Sequence, residues 1–151
     1  MKLSTRSRYG LKAVVDLAVA YGEGPVSLAV LAGIQDISEA YLEQLLRALR
    51  NGGIVETVRG AAGGYALCCD PDTLSVGRVL KVLEGGTTLV DCVGTEIESA
   101  NCDRACTCSA RPLFLKLQSK IDGVLNDTSI SDLAKDYIEQ KRRIEHAKGL
   151  S

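Results

Sequence analysis

Between Glu39 and Arg50 the stretch EAYLEQLLRALR sets Leu42, Leu45, Leu46 and Leu49 on one face of a helix. The same spacing turns Glu39, Glu43, Gln44, Arg47 and Arg50 outward. Ser38 precedes the run with an oxygen suited to capping it, and the NGG of residues 51 to 53 stops it. Two short β-type runs follow, IVETVRG and GGYALCC, joined through GAAG, where glycine tolerates the positive φ of a tight hairpin. Upstream, a helix is expected from about Thr5 to Tyr21, with Tyr9, Val14, Leu17, Ala18 and Tyr21 on one face. Ser4 or Thr5 caps it and Gly22 ends it. A very short helix behind Ser27, broken at Gly33, completes the set. Helix, short helix, turn, helix and hairpin is the order of a winged helix-turn-helix, mostly α with a small β-hairpin wing.

The remainder reads as an extension of that head. A short helix is expected from about Ser75 to Glu84, and the cysteine-bearing segment after it has no period of either kind and reads as a loop. From Pro112 to Leu125 a long helix returns, its stripe of Leu113, Leu117, Ile121 and Val124 broadened by Phe114 and Leu125. Asn126 to Ser129 break it, and Leu133, Tyr137 and Ile138 mark a last helix. The expected division is therefore 1–85 for the head, 86–111 for the cysteine loop, and 112–151 for the long helix and its successor. No apolar run approaches the roughly 18 residues of a membrane span, and MKLSTRSRYG lacks the apolar stretch of a signal peptide. The expectation is a cytoplasmic protein with no membrane partner. In a reducing compartment, clustered cysteines bind metal or sense redox state more often than they form structural disulfides. No nucleophile–base pair or phosphate loop is present, and the glycines of RGAAGGY open no helix, so an enzyme is not expected.

The net charge of −1 and pI of about 5.9 exclude a uniformly basic nucleic-acid binder. Distribution carries more weight than the total. Lys2, Arg6, Arg8 and Lys12 form an N-terminal stretch with no acid, and Arg47, Arg50 and Arg59 gather around the leucine helix and the hairpin. A recognition helix reads bases chiefly with its N-terminal side chains. Gln44 is built to pair with adenine through two hydrogen bonds, Glu43 to accept from cytosine N4, and Ser38 to meet base or phosphate. Arg59, just before the hairpin tip, suits a minor groove or a phosphate, as does Arg50. Pattern alone leaves a second reading open, because a polar helix face is equally a solvated surface or a protein contact.

Cys92, Cys102, Cys106 and Cys108 follow the spacing C-x9-C-x3-C-x-C. A 2Fe–2S cluster wants four ligands, mostly thiolates. Structural zinc also takes four thiolates, usually as close pairs. A thiol switch needs an exposed cysteine and a resolving partner. On spacing the three stand level. Cys68 and Cys69 close the second wing run, where adjacent cysteines rarely bond to each other without strain. Both read as structural.

LSTRSRYGLKAVVDLA, SEAYLEQLLRALRNGGIVETVRGAAGGYALC and LSVGRVLKVLEG resemble the winged-helix regulator family that includes IscR, NsrR, RirA and CymR. The resemblance runs from about residue 1 to residue 135. It implies a homodimeric transcription regulator that senses iron–sulfur clusters and controls cluster biogenesis genes. It also implies DNA contacts from Ser38, Tyr41, Glu43 and Gln44, and groove contact from the wing at Arg59. The long helix of such proteins crosses its partner, so two-fold symmetry leads to a palindromic operator in double-stranded DNA. Cluster-binding relatives carry C-x5-C-x5-C, which sets Cys92, Cys102 and Cys108 as ligands of a 2Fe–2S cofactor. Here the first gap is nine residues, not five, a small penalty because doubling a loop costs only about 0.6 kcal/mol. The family's histidine place falls on Arg111, which cannot ligate iron, and the sole histidine, His146, lies far along the last helix. Cys106 is the local substitute as fourth metal ligand, the more so because STRSRYG offers no acidic ligand. Two alternatives accompany this reading: a nitric-oxide or thiol sensor on the same fold, and a regulator controlled by binding a partner enzyme.

Overall fold

A computed structural model describes residues 3–93, 104 and 107–149. Its head begins with α1 (Thr5–Val19), α2 (Leu28–Gln35) and α3 (Glu39–Asn51), and continues with β1 (Val55–Val58), β2 (Gly64–Leu67) and α4 (Val76–Glu84). A single 3-10 turn at Asp91–Val93 follows, then α5 (Arg111–Asp127) and α6 (Ile130–Gly149). The first four helices start in the same way. Ser4, Ser27, Ser38 and Ser75 hold extended backbone, and each side-chain oxygen accepts the N–H three residues on.

One core gathers the heads of these helices. Val14, Leu17, Leu31, Leu42, Leu46, Leu49, Ile54, Val79 and Leu80 are buried together. Ile130 and Ala134, from the first turns of α6, join the same core. Close helix approach depends on glycine at two places: a Cβ on Gly10 would stand 2.6 Å from Leu83 Cδ1, and one on Gly52 would stand 2.6 Å from Val82 Cγ1.

The hairpin is antiparallel, with Val55 opposite Leu67 and Val58 opposite Gly64. A third piece joins it, for Val26 and Tyr65 exchange two backbone hydrogen bonds of 2.9 and 2.8 Å. That pairing leaves no room for a side chain at residue 64, where a Cβ would lie 2.3 Å from Val26 O. At the tip, Gly63 N–H donates to Gly60 O, and Gly60 has φ +121°.

Three local expectations are corrected. α1 ends at Val19, so Tyr21 lies past the helix and is exposed, with the left-handed Gly22 behind it. Gly33 does not break α2, because nothing crowds that position and one unhindered glycine costs a helix only about 1 kcal/mol. The helix stops instead at Asp36, whose φ of 52° is left-handed. β2 closes at Leu67, which puts Cys68 and Cys69 beyond the strand. α6 runs 20 residues and carries His146 far along it, its mixed-charge second half exposed as a solvated helix end. Its start is a reciprocal cap, with Asp132 N–H donating to Ser129 Oγ and Ser129 N–H to Asp132 Oδ2.

α5 is the unusual helix. Much of its stripe stays off its own chain: Leu113 is 57% and Val124 66% exposed, with Leu115 and Leu117 also outside, while Leu125 packs against the core and Phe114 and Ile121 are half-buried. Gln118 is the only buried residue on it.

Glu84 joins the two ends of the head. Its carboxylate accepts from Ser4 N–H at 3.0 Å, and from the hydroxyls of Ser4 and Ser7. Those bonds, Ser4's first, hold its carboxyl below the usual range. A depressed folded pKa stabilises the fold above the unfolded value and loses that contribution as pH falls through the folded one. Glu84→Gln is therefore expected to melt earlier than wild type at pH 7, with the gap closing as pH falls below about 4. Parallel thermal melts across that range check it, and a gap independent of pH would assign Glu84 no such role.

Candidate nucleic-acid interface and cysteine segment

Burial of Leu42, Leu45, Leu46 and Leu49 fixes the roll of α3 and leaves Glu43, Gln44, Arg47 and Arg50 exposed. Ser38 Oγ accepts Tyr41 N–H at 3.2 Å, so the hydroxyl is engaged as a cap but retains its own hydrogen to donate outward. Glu43 and Arg47 form an exposed ion pair at 3.8 Å. Pairs of this kind are worth about 1 kcal/mol at most, so either partner is easily redirected. Gln44 stands beside them in solvent.

The wing is tied to this helix through Arg50, whose Nη1 donates to Thr57 Oγ1 on β1 at 3.4 Å. Arg59 follows the last residue of β1 and is exposed. A Cβ on Gly63 would lie 2.4 Å from Val58 O, so the backbone closes tightly behind Arg59 and presents it at the hairpin tip.

Sequence reasoning missed one part of this surface. The apolar period sets Tyr9 on one face with Val14, Leu17 and Ala18, yet it is half-buried and its ring meets Tyr41 edge-on, 6.2 Å between centroids at 86°. Arg8 and Lys12 each place their charge 5.6 Å from the Tyr9 ring centre. Cations over an aromatic face are held by its quadrupole. Two cations of α1 are thereby gathered beside the N-terminal turns of α3. The i, i+4 spacing of Arg8 and Lys12 around Tyr9 was the available signal. A chain of net charge −1 thus carries a local basic surface next to its outward helix.

Cys92 sits in the 3-10 turn, half-buried, and Cys108 lies just ahead of α5, also half-buried; both thiols are free. Cys102 and Cys106 fall outside the described residues. Among the described residues no three metal-ligating side chains come together. Arg111 opens α5, and its Nε–H is buried with no hydrogen-bond partner among the described residues. His146 is exposed on α6. At the wing base Cys68 is exposed and Cys69 half-buried. Partial burial, then Glu56 and Cys69 beside it, raise the Cys68 thiol above its ordinary pKa, opposite to what a reactive cysteine needs.

Comparison with known proteins places this arrangement in context. The sequence profile of the Rrf2 family, described as an iron-dependent transcriptional regulator, matches residues 3–136. The transcriptional regulator CymR of Bacillus subtilis is 41% identical over 134 residues, covering 89% of this chain and 90% of that protein. The transcriptional regulator IscR of Aliivibrio salmonicida is 38% identical over 136 residues, 90% of this chain and 79% of that one. The solved structure of B. subtilis CymR, described as the global cysteine regulator, superposes with a TM-score of 0.75 over 89% of this chain and 97% of its own, at 39% identity. That of T. potens IscR gives 0.73 over 91% and 88%, also at 39%.

Proposed function

The chain belongs to the Rrf2 family of transcriptional regulators, winged-helix proteins and not enzymes, and on that premise we propose a homodimeric, cytoplasmic regulator that senses iron–sulfur clusters and controls their biogenesis genes. Its cysteine segment holds a 2Fe–2S cluster, and its heads read a palindromic operator. The observation that carries the cluster is the neighbourhood of Cys108. A free, half-buried thiol stands three residues along the chain from an arginine N–H that is buried and, among the described residues, unanswered. A buried donor without an acceptor costs roughly 1–3 kcal/mol, and thiolate or sulfide sulfur is the acceptor a cluster brings. Cys92, Cys102 and Cys108 are the ligands, with Cys106 as the fourth, and Arg111 donates to sulfur in the place where the family carries a histidine. When bound, the cluster supplies a ligation state that oxidants or iron scarcity remove.

On the DNA side, Gln44 pairs with adenine and Glu43, released from Arg47, accepts from cytosine N4. The free hydrogen of Ser38 and the hydroxyl of Tyr41 reach phosphate or base. Arg8, Lys12 and Arg47 neutralise backbone charge, and Arg59 enters the adjoining groove. Two heads on one two-fold axis then require half-sites a whole number of helical turns apart.

Thiol sensing is a second reading, favoured by the similarity to CymR, whose structure is described as that of a cysteine regulator. One residue separates Cys106 from Cys108, which suits a resolving pair as well as it suits two ligands.

Two sets of variants test the proposal. On a duplex selected from random sequence by the wild-type protein, Gln44→Ala costs about 1–3 kcal/mol and leaves binding to unselected DNA unchanged. Arg59→Ala weakens both and lowers the salt slope by about one unit. Equal losses for Gln44→Ala on both duplexes would move the reading surface off α3. For the cluster, anaerobic reconstitution with iron and sulfide is expected to fail in Cys92→Ala, Cys102→Ala, Cys106→Ala and Cys108→Ala. Full loading of Cys106→Ala would reject it as fourth ligand, and stoichiometric zinc without sulfide in protein purified anaerobically would reject the cluster.

A further inference from the structure

α5 spends its one buried position on an amide. Gln118 is 8% exposed, on a helix whose leucines stand largely in solvent. Its Oε1 accepts Leu89 N–H at 2.7 Å, while Nε2 donates to Thr87 O at 3.1 Å and to Asp122 Oδ1 at 2.9 Å. The amide orientation is not arbitrary: Leu89 offers only a donor and Thr87 only an acceptor, so a flipped amide would oppose both. Burying an unbonded amide is costly, and these three bonds are what make the position tolerable. They bind the chain entering the cysteine segment to α5.

That entry has little slack on one side and ample slack on the other. Three residues after Leu89 comes Cys92, inside a 3-10 turn closed by Val93 N–H to Val90 O at 3.1 Å, with Val93 buried. Towards α4, the chain passes through Gly85, with φ +80°, and Gly86, around which nothing crowds. A cleft of about 440 Å³, bordered by Lys81, Gly85, Thr87, Val93 and Gln118, lies between α4, the loop and α5. A displacement at Cys92 would meet slack at the glycines on the α4 side and the bonds of Gln118 on the α5 side.

The far end of α5 carries the head. Val76 N–H donates to Thr128 O at 2.9 Å and Ile130 N–H to Leu74 O at 2.8 Å. A Cβ on Gly77 would stand 2.4 Å from Asn126 Oδ1, so α4 sits hard against the end of the helix. From residue 118 to residue 126 is about 12 Å along one rod at 1.5 Å per residue.

We propose that Gln118 is a positioning residue that couples the cysteine segment to α5, so that ligation at Cys92 reaches the DNA-reading heads through the long helix and not through the loop to α4. The proposal rests on the ligation reading above and names the path that reading leaves open.

The test uses the full chain, loaded by anaerobic reconstitution with iron and sulfide or left unloaded, on a duplex selected by the wild type. Loading is expected to change wild-type affinity by about 5–150-fold, the usual range of coupling between sites. Gln118→Leu should load the same iron and sulfide, bind as wild type when unloaded, and show a loaded-to-unloaded ratio within about twofold of one. Amide exchange at Leu89 should accelerate in the same variant. The control variant Asp122→Asn removes only the carboxylate that accepts the third bond and keeps those of Gln118 to Leu89 N–H and Thr87 O. It should keep both the wild-type affinity ratio and the slow exchange. A Gln118→Leu protein that retains the wild-type ratio overturns the coupling and leaves the cluster reading standing. One that fails to fold or load makes Gln118 purely structural and overturns the coupling too, as does an Asp122→Asn protein that loads and loses the ratio while Leu89 stays protected. A wild type that does not load, or loads without changing affinity, fails the ligation reading itself and takes the proposal with it.

Discussion

A long helix that meets its own chain through Gln118, Leu125 and its last turn, and leaves a leucine row outside, governs the rest of this molecule. Leu113, Leu115, Leu117 and Val124 point into solvent from α5. Burying a leucine or valine side chain is worth about 1.5–3 kcal/mol, so leaving four outside forgoes several kcal/mol that a partner surface would recover. A second copy of the same helix supplies such a surface by symmetry. Everything with a functional reading hangs on that rod: the entry to the cysteine segment through Gln118, and the head through Leu74, Val76 and Gly77. Pairing two such rods would set the separation of two reading surfaces without any contact between the heads.

The reading surface works by local arrangement, since the whole chain is slightly acidic. α3 is oriented by its four buried leucines, fastened to the wing by Arg50 and Thr57, and flanked by the cations that Tyr9 collects. On the proposed reading, weak overall attraction to DNA would limit non-specific binding and leave discrimination to short-range groups such as Glu43 and Gln44. The exposed Glu43–Arg47 pair suits this, being cheap to open when a better partner arrives.

How much of this was legible depended on whether apolar period carried the information. α3 and the hairpin were readable because leucine spacing and glycine chemistry both point one way, and the observed bounds differ from expectation by a residue or two. α2 was cut short in expectation because glycine was taken as a stop, whereas the stop is Asp36 in a left-handed conformation. The second half of α6 was legible by its mixed charge as a solvated helix end, with i, i+4 pairs such as Glu139 and Arg143 on it. Tyr9 looked like core because period cannot separate a buried aromatic from one half-buried under cations. Gln118 was invisible for the opposite reason. A polar residue is scored outward by pattern, and only tertiary geometry shows its bonds to a segment some 30 residues earlier. The arrangement of the four loop cysteines stayed beyond sequence, because spacing in an aperiodic segment constrains reach and not direction.

Sedimentation equilibrium of the full chain at micromolar concentration tests the central claim, that the stripe on α5 is covered by a second copy. The account predicts a dimer for wild type and a folded monomer, with an unchanged head by circular dichroism and near-native melting, for Leu113→Glu combined with Leu117→Glu. A wild-type monomer at that concentration, or a dimer undisturbed by both charges, would contradict it.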